Sequence, residues 1–336
     1  MKKKIGLVIQ GALMSIGRSG GKLHESPDQL RQKGGVVNFD CRENIKKIIN
    51  TYGHLFDEIV VSVFDNQLEP EDHFPGAKIV SGPDPGGVKQ VGHYKDNNKA
   101  RQFLSTLNGL KELEKSGIEY TIKARTDQYF NYDKLIKSFL LGIEKVSNPE
   151  TIFVTVMHPP TYLLHDLYFA ASTRALKKFC EAILAYDQFE FISSVHRDMV
   201  LKHAYVEYKD VIKVPEWAYF PFSPPNGVNS ETRKIFDYMF NNVYVPIDPD
   251  VFRSTLWRGE YYEEDHVSRL IKGQNQKPRN LNIPAFISID WRRYFAFRRQ
   301  QYGEKARALN KVTEVIGLVG WKFWNLIRTL VNSFRK

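Results

Sequence analysis

Apolar positions along the first 190 residues switch between the period of a strand and the period of a helix, and the switching predicts the elements in order. Residues 5–9 form an unbroken apolar run closed by Gln10 and Gly11, the pattern of a strand buried on both faces. Residues 15–35 are rich in Gly, Ser and charged side chains and predict a long loop. Asp40 stands where it can cap a helix over 42–52, with Ile45, Ile48 and Ile49 at helical spacing. Strands follow at 58–64 and 78–80, the second leading into the turn-rich Gly82-Pro-Asp-Pro-Gly-Gly87. A helix over 97–114 carries Ala100, Phe103, Leu104, Leu107, Leu110 and Leu113 on one face. Strands at 120–127 and 152–156, helices near 132–146 and 174–186, and a short apolar run at 167–171 complete the alternation.

Strands alternating with helices predict an α/β domain over residues 1–190 with a largely parallel sheet. Ligands of such sheets sit beyond the carboxyl ends of the strands, where Gln10, Gly11, Asp65 and Asp127 converge. After Ser193 the pattern weakens. Prolines and aromatics dominate 215–250, so residues 191–290 are expected to form a loop-rich second lobe over one side of a cleft.

The strand at 120–127 brings charge into this picture. Alternate residues share a face, so Lys123, Arg125 and Asp127 project together. Two cations and a carboxylate are costly to bury unpaired, and a ligand carrying phosphates, with or without a metal, accounts for them. Asn98, Arg101 and Gln102 open the next-door helix. A cation there opposes the helix dipole unless an anion lies close by. A phosphate loop is excluded, because Ile16 stands where its first glycine belongs and Leu23 where Ser or Thr would hold magnesium. Asp248-Pro-Asp250 matches a bare D-x-D, but its proline suits an ordinary turn. Within 260–266, Glu263 and Glu264 read as first-turn acids of a helix, while Asp265 or His266 reads as a base or metal ligand. Asp198, entering a helix after His196-Arg, carries the same two readings.

Composition narrows the class. The chain has 336 residues, 42% hydrophobic and 13% aromatic, enough for a sizeable core and unlike a disordered chain. Residues 291–336 hold eleven basic side chains against Glu304 and Glu314, nearly all of the net charge of +10. The body is therefore close to neutral, and no nucleic-acid partner is expected. Two cysteines, Cys41 and Cys180, exclude a cysteine metal cluster and fit a reducing cytosol. The lysines before residue 5 give the chain a superficial likeness to a signal peptide, but Gln10 and the glycines break the apolar run, so a first strand is expected. In the tail, Val312, Val315, Ile316, Val319, Phe323, Leu326, Ile327, Leu330 and Phe334 share a helical face, with Trp321 and Trp324 beside them. A basic amphipathic helix of this kind predicts attachment to an anionic membrane surface, against packing on the body or on a second copy.

The order of these features resembles a known family. Ile9-Gln10-Gly11 at a strand end, Asn98-x-x-Arg101-Gln102 opening a helix, and Lys123-x-Arg125-Thr126-Asp127-Gln128 closing a strand resemble the WavE-type lipopolysaccharide-synthesis family. Asp166-Leu-Tyr-Phe-Ala-Ala171 is similar to its D-x-F segment, with Ala where a glycine is common, and the likeness spans roughly residues 5–210. The resemblance implies a GT-A-like, nucleotide-sugar-binding Rossmann-type sheet. It also implies a bacterial glycosyltransferase that moves a sugar from a nucleotide-sugar donor onto lipopolysaccharide, O-antigen or capsule, with a lipid-linked glycan as acceptor. Such an enzyme would work at the cytoplasmic face of the inner membrane. Donor binding then falls to Gln10, Gly11, Asp65, Asn98, Arg101, Lys123, Arg125, Asp127 and Gln128. Asp127 is the expected ligand of Mg²⁺ or Mn²⁺, while Arg101, Lys123 and Arg125 can meet phosphate oxygens directly. Arg125 stands two residues before Asp127, so the strand lacks a D-x-D. The candidate bases, in falling order, are Asp198, Asp166 and Asp265. A sugar-phosphate nucleotidyltransferase and a non-enzymatic scaffold of a polysaccharide assembly complex are the rival readings.

Overall fold

The computed structural model describes residues 3–20, 36–89, 96–158, 162–186, 195–219 and 230–274. Strand β1, Ile5–Gln10, lies inside the main sheet and is buried along its whole length as its apolar run requires. Six further strands complete the sheet: β2 (Glu58–Ser62), β3 (Lys78–Val80), β4 (Tyr120–Arg125), β5 (Ile152–Val154), β6 (Phe169–Ser172) and β7 (Tyr244–Pro246). The order across the sheet is β7-β5-β6-β4-β1-β2-β3. Parallel pairs join β1 to β2 and β4, β2 to β3, and β5 to β7. The expected α/β fold with a largely parallel sheet is present.

Parallel neighbours need long crossovers, and helices supply them on both faces. Val8 and Val60 pack with Leu107 and Leu110 of α2 (Lys99–Lys115) and Phe179 of α4 (Thr173–Leu184). On the other face Leu7, Ile9, Ile59 and Val61 pack with Ile45 and Ile48 of α1 (Cys41–Tyr52) and with Leu135 and Phe139 of α3 (Tyr132–Lys145). Burying each such side chain contributes about 1.5–3 kcal/mol, which is why β1 carries no polar residue before Gln10. Asp40 caps α1 through the Arg42 amide at 2.9 Å, as its sequence position predicts.

Three features depart from a simple alternation. Strand β6 runs antiparallel to both β4 and β5. The link from β5 forms a small hairpin, Met157–His158 against Leu163–Leu164, and its described residues hold no crossover helix. The chain therefore returns beside β5 in the opposite direction. Within the stretch expected as a loop over 15–35, Met14–Gly17 is a strand that pairs with Val37–Asp40. Finally, the stretch 215–250 includes a helix, Ser230–Asn242, that leads into β7, so a late segment completes the sheet's edge.

Register fixes the functional edge. Gln10 lies opposite both Ser62 and Arg125, and Ser62 lies opposite Val80, so four parallel strands end level. The amphipathic helix and basic run expected over 291–336 lie outside the described residues. Among the described residues no helix is long and apolar enough to cross a membrane.

His203 closes α5 (Val195–His203) inside the core, against the Phe179 ring at 4.9 Å and sharing a 2.8 Å hydrogen bond with the Tyr244 hydroxyl. Burial pushes its pKa down from 6.5 to about 3, and the Lys178 charge acts in the same direction. The folded chain thus keeps this imidazole neutral while the unfolded chain protonates it below pH 6.5. Stability from this group is complete above pH 6.5 and is lost as pH falls toward about 3, by about 1.4 kcal/mol per pH unit. Urea denaturation between pH 7 and 4.5 should show this slope, and His203→Phe should flatten it. An unchanged slope in the variant would assign the acid sensitivity elsewhere.

Candidate functional site

A cavity of about 480 Å³ opens at the carboxyl edge of β1, β2 and β4. Gln10 and Gly11 reach it from β1, Asn66 and Gln67 from the turn after β2, and Arg125 and Asp127 from the end of β4. Asn98, Arg101, Gln102 and Ser105 line it from the start of α2, and Asp84 and Arg258 complete its charged wall. Three guanidiniums face two carboxylates around the space.

Gln10 ends its strand polar because it meets this edge. Its Oε1 accepts from Ser105 Oγ at 3.0 Å, which ties β1 to α2. Gly11 has φ +137°, and a Cβ there would fall 2.6 Å from Thr126 Oγ1. Thr126 in turn donates to the Ala12 carbonyl at 2.7 Å, so the loops after β1 and β4 are sewn together.

Asp127 is 3% exposed and is encircled by donors. Its Oδ1 accepts from Arg125 Nε at 3.0 Å. Its Oδ2 accepts from Ser15 Oγ at 3.0 Å, Trp257 Nε1 at 3.0 Å and Arg125 Nη2 at 3.1 Å, with Arg258 Nε at 3.3 Å. Burial works to raise the carboxyl's pKa, but Arg125 and Arg258 outweigh it and hold Asp127 below the usual carboxylate range. The charges on 120–127 that looked unpaired in sequence are therefore paired within the chain. Lys123 lies beneath the cavity, fully buried, with Nζ donating to the Asp166 carbonyl at 2.8 Å, and burial pushes its pKa down to about 8.

The expectation of a metal on Asp127 meets a physical obstacle. Mg²⁺ and Mn²⁺ take oxygen ligands at close range, and Mg²⁺ demands about 2.0–2.1 Å in an octahedron. A divalent ion that close to Asp127 would also stand about 5 Å from two guanidiniums, each opposing it by about 7 kcal/mol at an effective dielectric near 20. The other cavity carboxylate, Asp84, is engaged by Arg101 through Nε at 2.7 Å and Nη2 at 2.8 Å. Among the described residues no group of three or more His, Cys, Asp or Glu is arranged to hold a metal. The donor set here does not fit a divalent cation.

Asp84 also answers the oddity of a cation on the first turn of α2. It is the nearby anion that the dipole argument called for, held to a pKa of about 2 chiefly by its hydrogen bonds from Arg101. Asp65 is exposed and does not line the cavity, whereas its neighbours Asn66 and Gln67 do. Gln128 is buried away from the cavity, and its side-chain amide has no partner among the described residues.

The three candidate bases fall in three settings. Asp198 is fully buried, with Lys99 Nζ at 2.7 Å and Lys202 Nζ at 3.1 Å from its Oδ2, so it serves as a counter-charge inside the fold. Asp265 is exposed on the first turn of the helix Glu264–Gln274 and does not line the cavity. Asp166 does not line the cavity either, but its carboxyl is hydrogen-bonded to Gln102 and feels the Arg125 charge, both residues being cavity residues. Burial works to raise its pKa, but His196, Arg125 and Lys123 outweigh it and keep the carboxyl well below the usual range. Asp248 of the D-x-D accepts from the Asp250 amide at 2.9 Å as the cap of a short helix, Pro249–Arg253, which is the turn reading.

Sequence reasoning missed Arg258, Trp257, Ser15 and Asp84. Arg258 and Trp257 lie more than 120 residues from Asp127 and join it through a small sheet, with Trp257 opposite Gln128. Asp84 stood in a recognised turn, and the unexplained Arg101 was the signal that an anion was needed.

No family model matches the chain, and no curated protein matches it in sequence. Several solved structures are similar to parts of it. Mannose-1-phosphate geranyltransferase from Thermus thermophilus is 12% identical with a TM-score of 0.32, over 59% of this chain and 67% of that one. A 4-diphosphocytidyl-2C-methyl-D-erythritolsynthase from Anaerococcus prevotii is 13% identical with a TM-score of 0.34, over 82% and 99%. A glycosyltransferase involved in the glycosylation of the major capsid of PBCV-1 is 11% identical with a TM-score of 0.29, over 73% and 82%. At these values the likeness decides nothing about chemistry, and the fold rests on the sheet order and register described above.

Asp127→Ala should destabilise the protein by about 3–5 kcal/mol in urea denaturation, because it leaves two neighbouring guanidiniums without their buried counter-charge. A loss below about 1 kcal/mol, the range of a surface pair, would mean that the guanidiniums need no such partner.

Proposed function

We propose that this protein is a transferase that takes a sugar from a nucleotide-sugar donor, with the donor's diphosphate in the cavity at the sheet's carboxyl edge. The observation that carries the reading is the convergence of Arg101, Arg125 and Arg258 on one cavity with Gln10 and Gly11 at its floor. In the transfer, the bond from the anomeric carbon to the diphosphate oxygen breaks and its electron pair leaves on the diphosphate. The acceptor oxygen forms the new bond and gives its proton to a base. Fixed cations beside the leaving group stabilise the charge that develops there. Among the three candidate bases only Asp166 neighbours cavity residues, Arg125 and Gln102, and the cations that lower its pKa make it a weak base. The 1–190 unit would then hold the donor together with Arg258, and the rest of the 191–290 lobe would face the acceptor.

The resemblance to the WavE-type family supports a bacterial surface glycan as acceptor. The basic, tryptophan-bearing stretch 291–336 supports work at an anionic membrane surface, on the cytoplasmic face where nucleotide sugars and lipid-linked glycans meet. A panel of nucleotide sugars in a thermal-shift assay tests the donor reading. At least one should raise the melting temperature, as any ligand selective for the folded state must. Stabilisation by none would favour the non-enzymatic scaffold. For the tail, the chain truncated after Gly303 should lose most of its co-sedimentation with anionic liposomes, and undiminished binding would remove the membrane reading.

A further inference from the structure

Arg258 is set in place at a conformational cost. It occupies the tip of the hairpin formed by Leu256–Trp257 and Glu260–Tyr261, with φ +49° followed by Gly259 at +82°. A turn with both central residues at positive φ favours Asn, Asp or Gly at the first of them, and a long side chain there is strained. The surroundings are shaped to keep it. The Arg258 amide donates to the Asp127 carbonyl at 2.9 Å, Nε donates to Ser15 Oγ at 2.9 Å, and Nη1 donates to the Arg18 carbonyl. At Gly17 a Cβ would fall 2.7 Å from Nη1, so that glycine leaves room for the guanidinium.

Beside it stands Arg125, and the two share the Asp127 carboxylate. Asp127 takes Nε and Nη2 of Arg125 and lies against Nε of Arg258. Arg125 Nη1 and Arg258 Nη2 have no partner among the described residues, and both arginines line the cavity. With Lys123 and Asp166 counted, three cations stand against two carboxylates, which leaves an excess positive charge, with N–H groups spare on both arginines, at a site closed to other cations by that same charge.

Building on the donor reading above, we propose that Arg125 and Arg258 together neutralise the donor's diphosphate in place of a divalent metal, and that Asp127 is the positioning residue that holds them side by side. Guanidiniums match phosphate oxygens in fork geometry and stay charged at every working pH, so the pair supplies fixed positive charge without a metal-loading step. Asp127 touches no phosphate. It lowers the repulsion between the two arginines and fixes their spacing.

The test is calorimetric titration of the full chain with UDP, GDP, CDP and ADP, once in EDTA and once in excess Mn²⁺. At least one diphosphate should bind in EDTA with an affinity within about twofold of that in Mn²⁺, and Arg258→Met should weaken it by about tenfold or more, the worth of a charged hydrogen bond. Affinity that appears only with Mn²⁺ overturns the inference and leaves the donor reading standing. Binding by no nucleotide under either condition overturns both. The comparison of EDTA with Mn²⁺ uses the unaltered protein, so it decides the matter even if Arg258→Met fails to fold.

Discussion

The Asp127 carboxylate is the point through which the rest of the site is assembled. Five side-chain contacts converge on it from three stretches of chain: Ser15 after β1, Arg125 at the end of β4, and Trp257 and Arg258 on the late hairpin. The main-chain bond from the Arg258 amide docks that hairpin a second time. A buried ion network of this kind is weak evidence of net stability, because desolvating three charges offsets much of what their attraction returns. Its effect is specificity of arrangement. With the carboxylate in place, one geometry satisfies every donor, and the hairpin cannot slide along β4's extension without leaving a buried charge unpaired.

That constraint explains which parts of the architecture could be read from the sequence. Strands β1 and β2 were legible because they are buried on both faces and so carry apolar runs, and α1 and α2 because their buried residues recur at helical spacing. The first half of the cavity was legible for the same reason: where a buried strand turns polar it has reached the sheet's edge, as at Gln10 and at Arg125. Strand β6 hid its direction, since a short apolar run reads the same either way. Direction was decided by what the preceding link contained. The reversal matters to the site, because the start of β6, with Phe169 opposite Lys123, then lies at the same end of the sheet as Arg125 and sets Asp166 near it.

The second half of the site could not be read because it is made by pairing across long stretches of chain. Arg258 follows an unremarkable Leu-Trp pair and gains its setting only when Trp257 aligns with Gln128. The charged residues of 120–127 did signal that something must compensate them. A strand sequence cannot reveal whether the compensation comes from a ligand, a metal or another part of the chain. Here Asp127 serves Arg125 and Arg258, while the Asp166 carbonyl serves Lys123. Asp198 shows the same ambiguity in reverse: a carboxylate at a helix start that looked available is the counter-charge of two buried lysines.

The two arginine–carboxylate pairs at the cavity differ in what it costs to part them. Asp127 is 3% exposed, so removing a partner strands a charge in the interior, at about 3–5 kcal/mol. Arg101 and Asp84 have side chains 35% and 15% exposed, so water screens them more than it screens the Asp127 cluster and can solvate either partner on separation. Asp84 also sits in a proline- and glycine-bounded turn outside the main sheet, where it accepts from the Gly86 amide at 2.9 Å and from Asn66 Nδ2 at 3.4 Å. The cavity therefore combines two kinds of cation. One is held at the sheet's edge by a buried carboxylate, and the other stands at the start of α2, paired with a more exposed one. That difference follows from burial alone, without any difference in the residue types used.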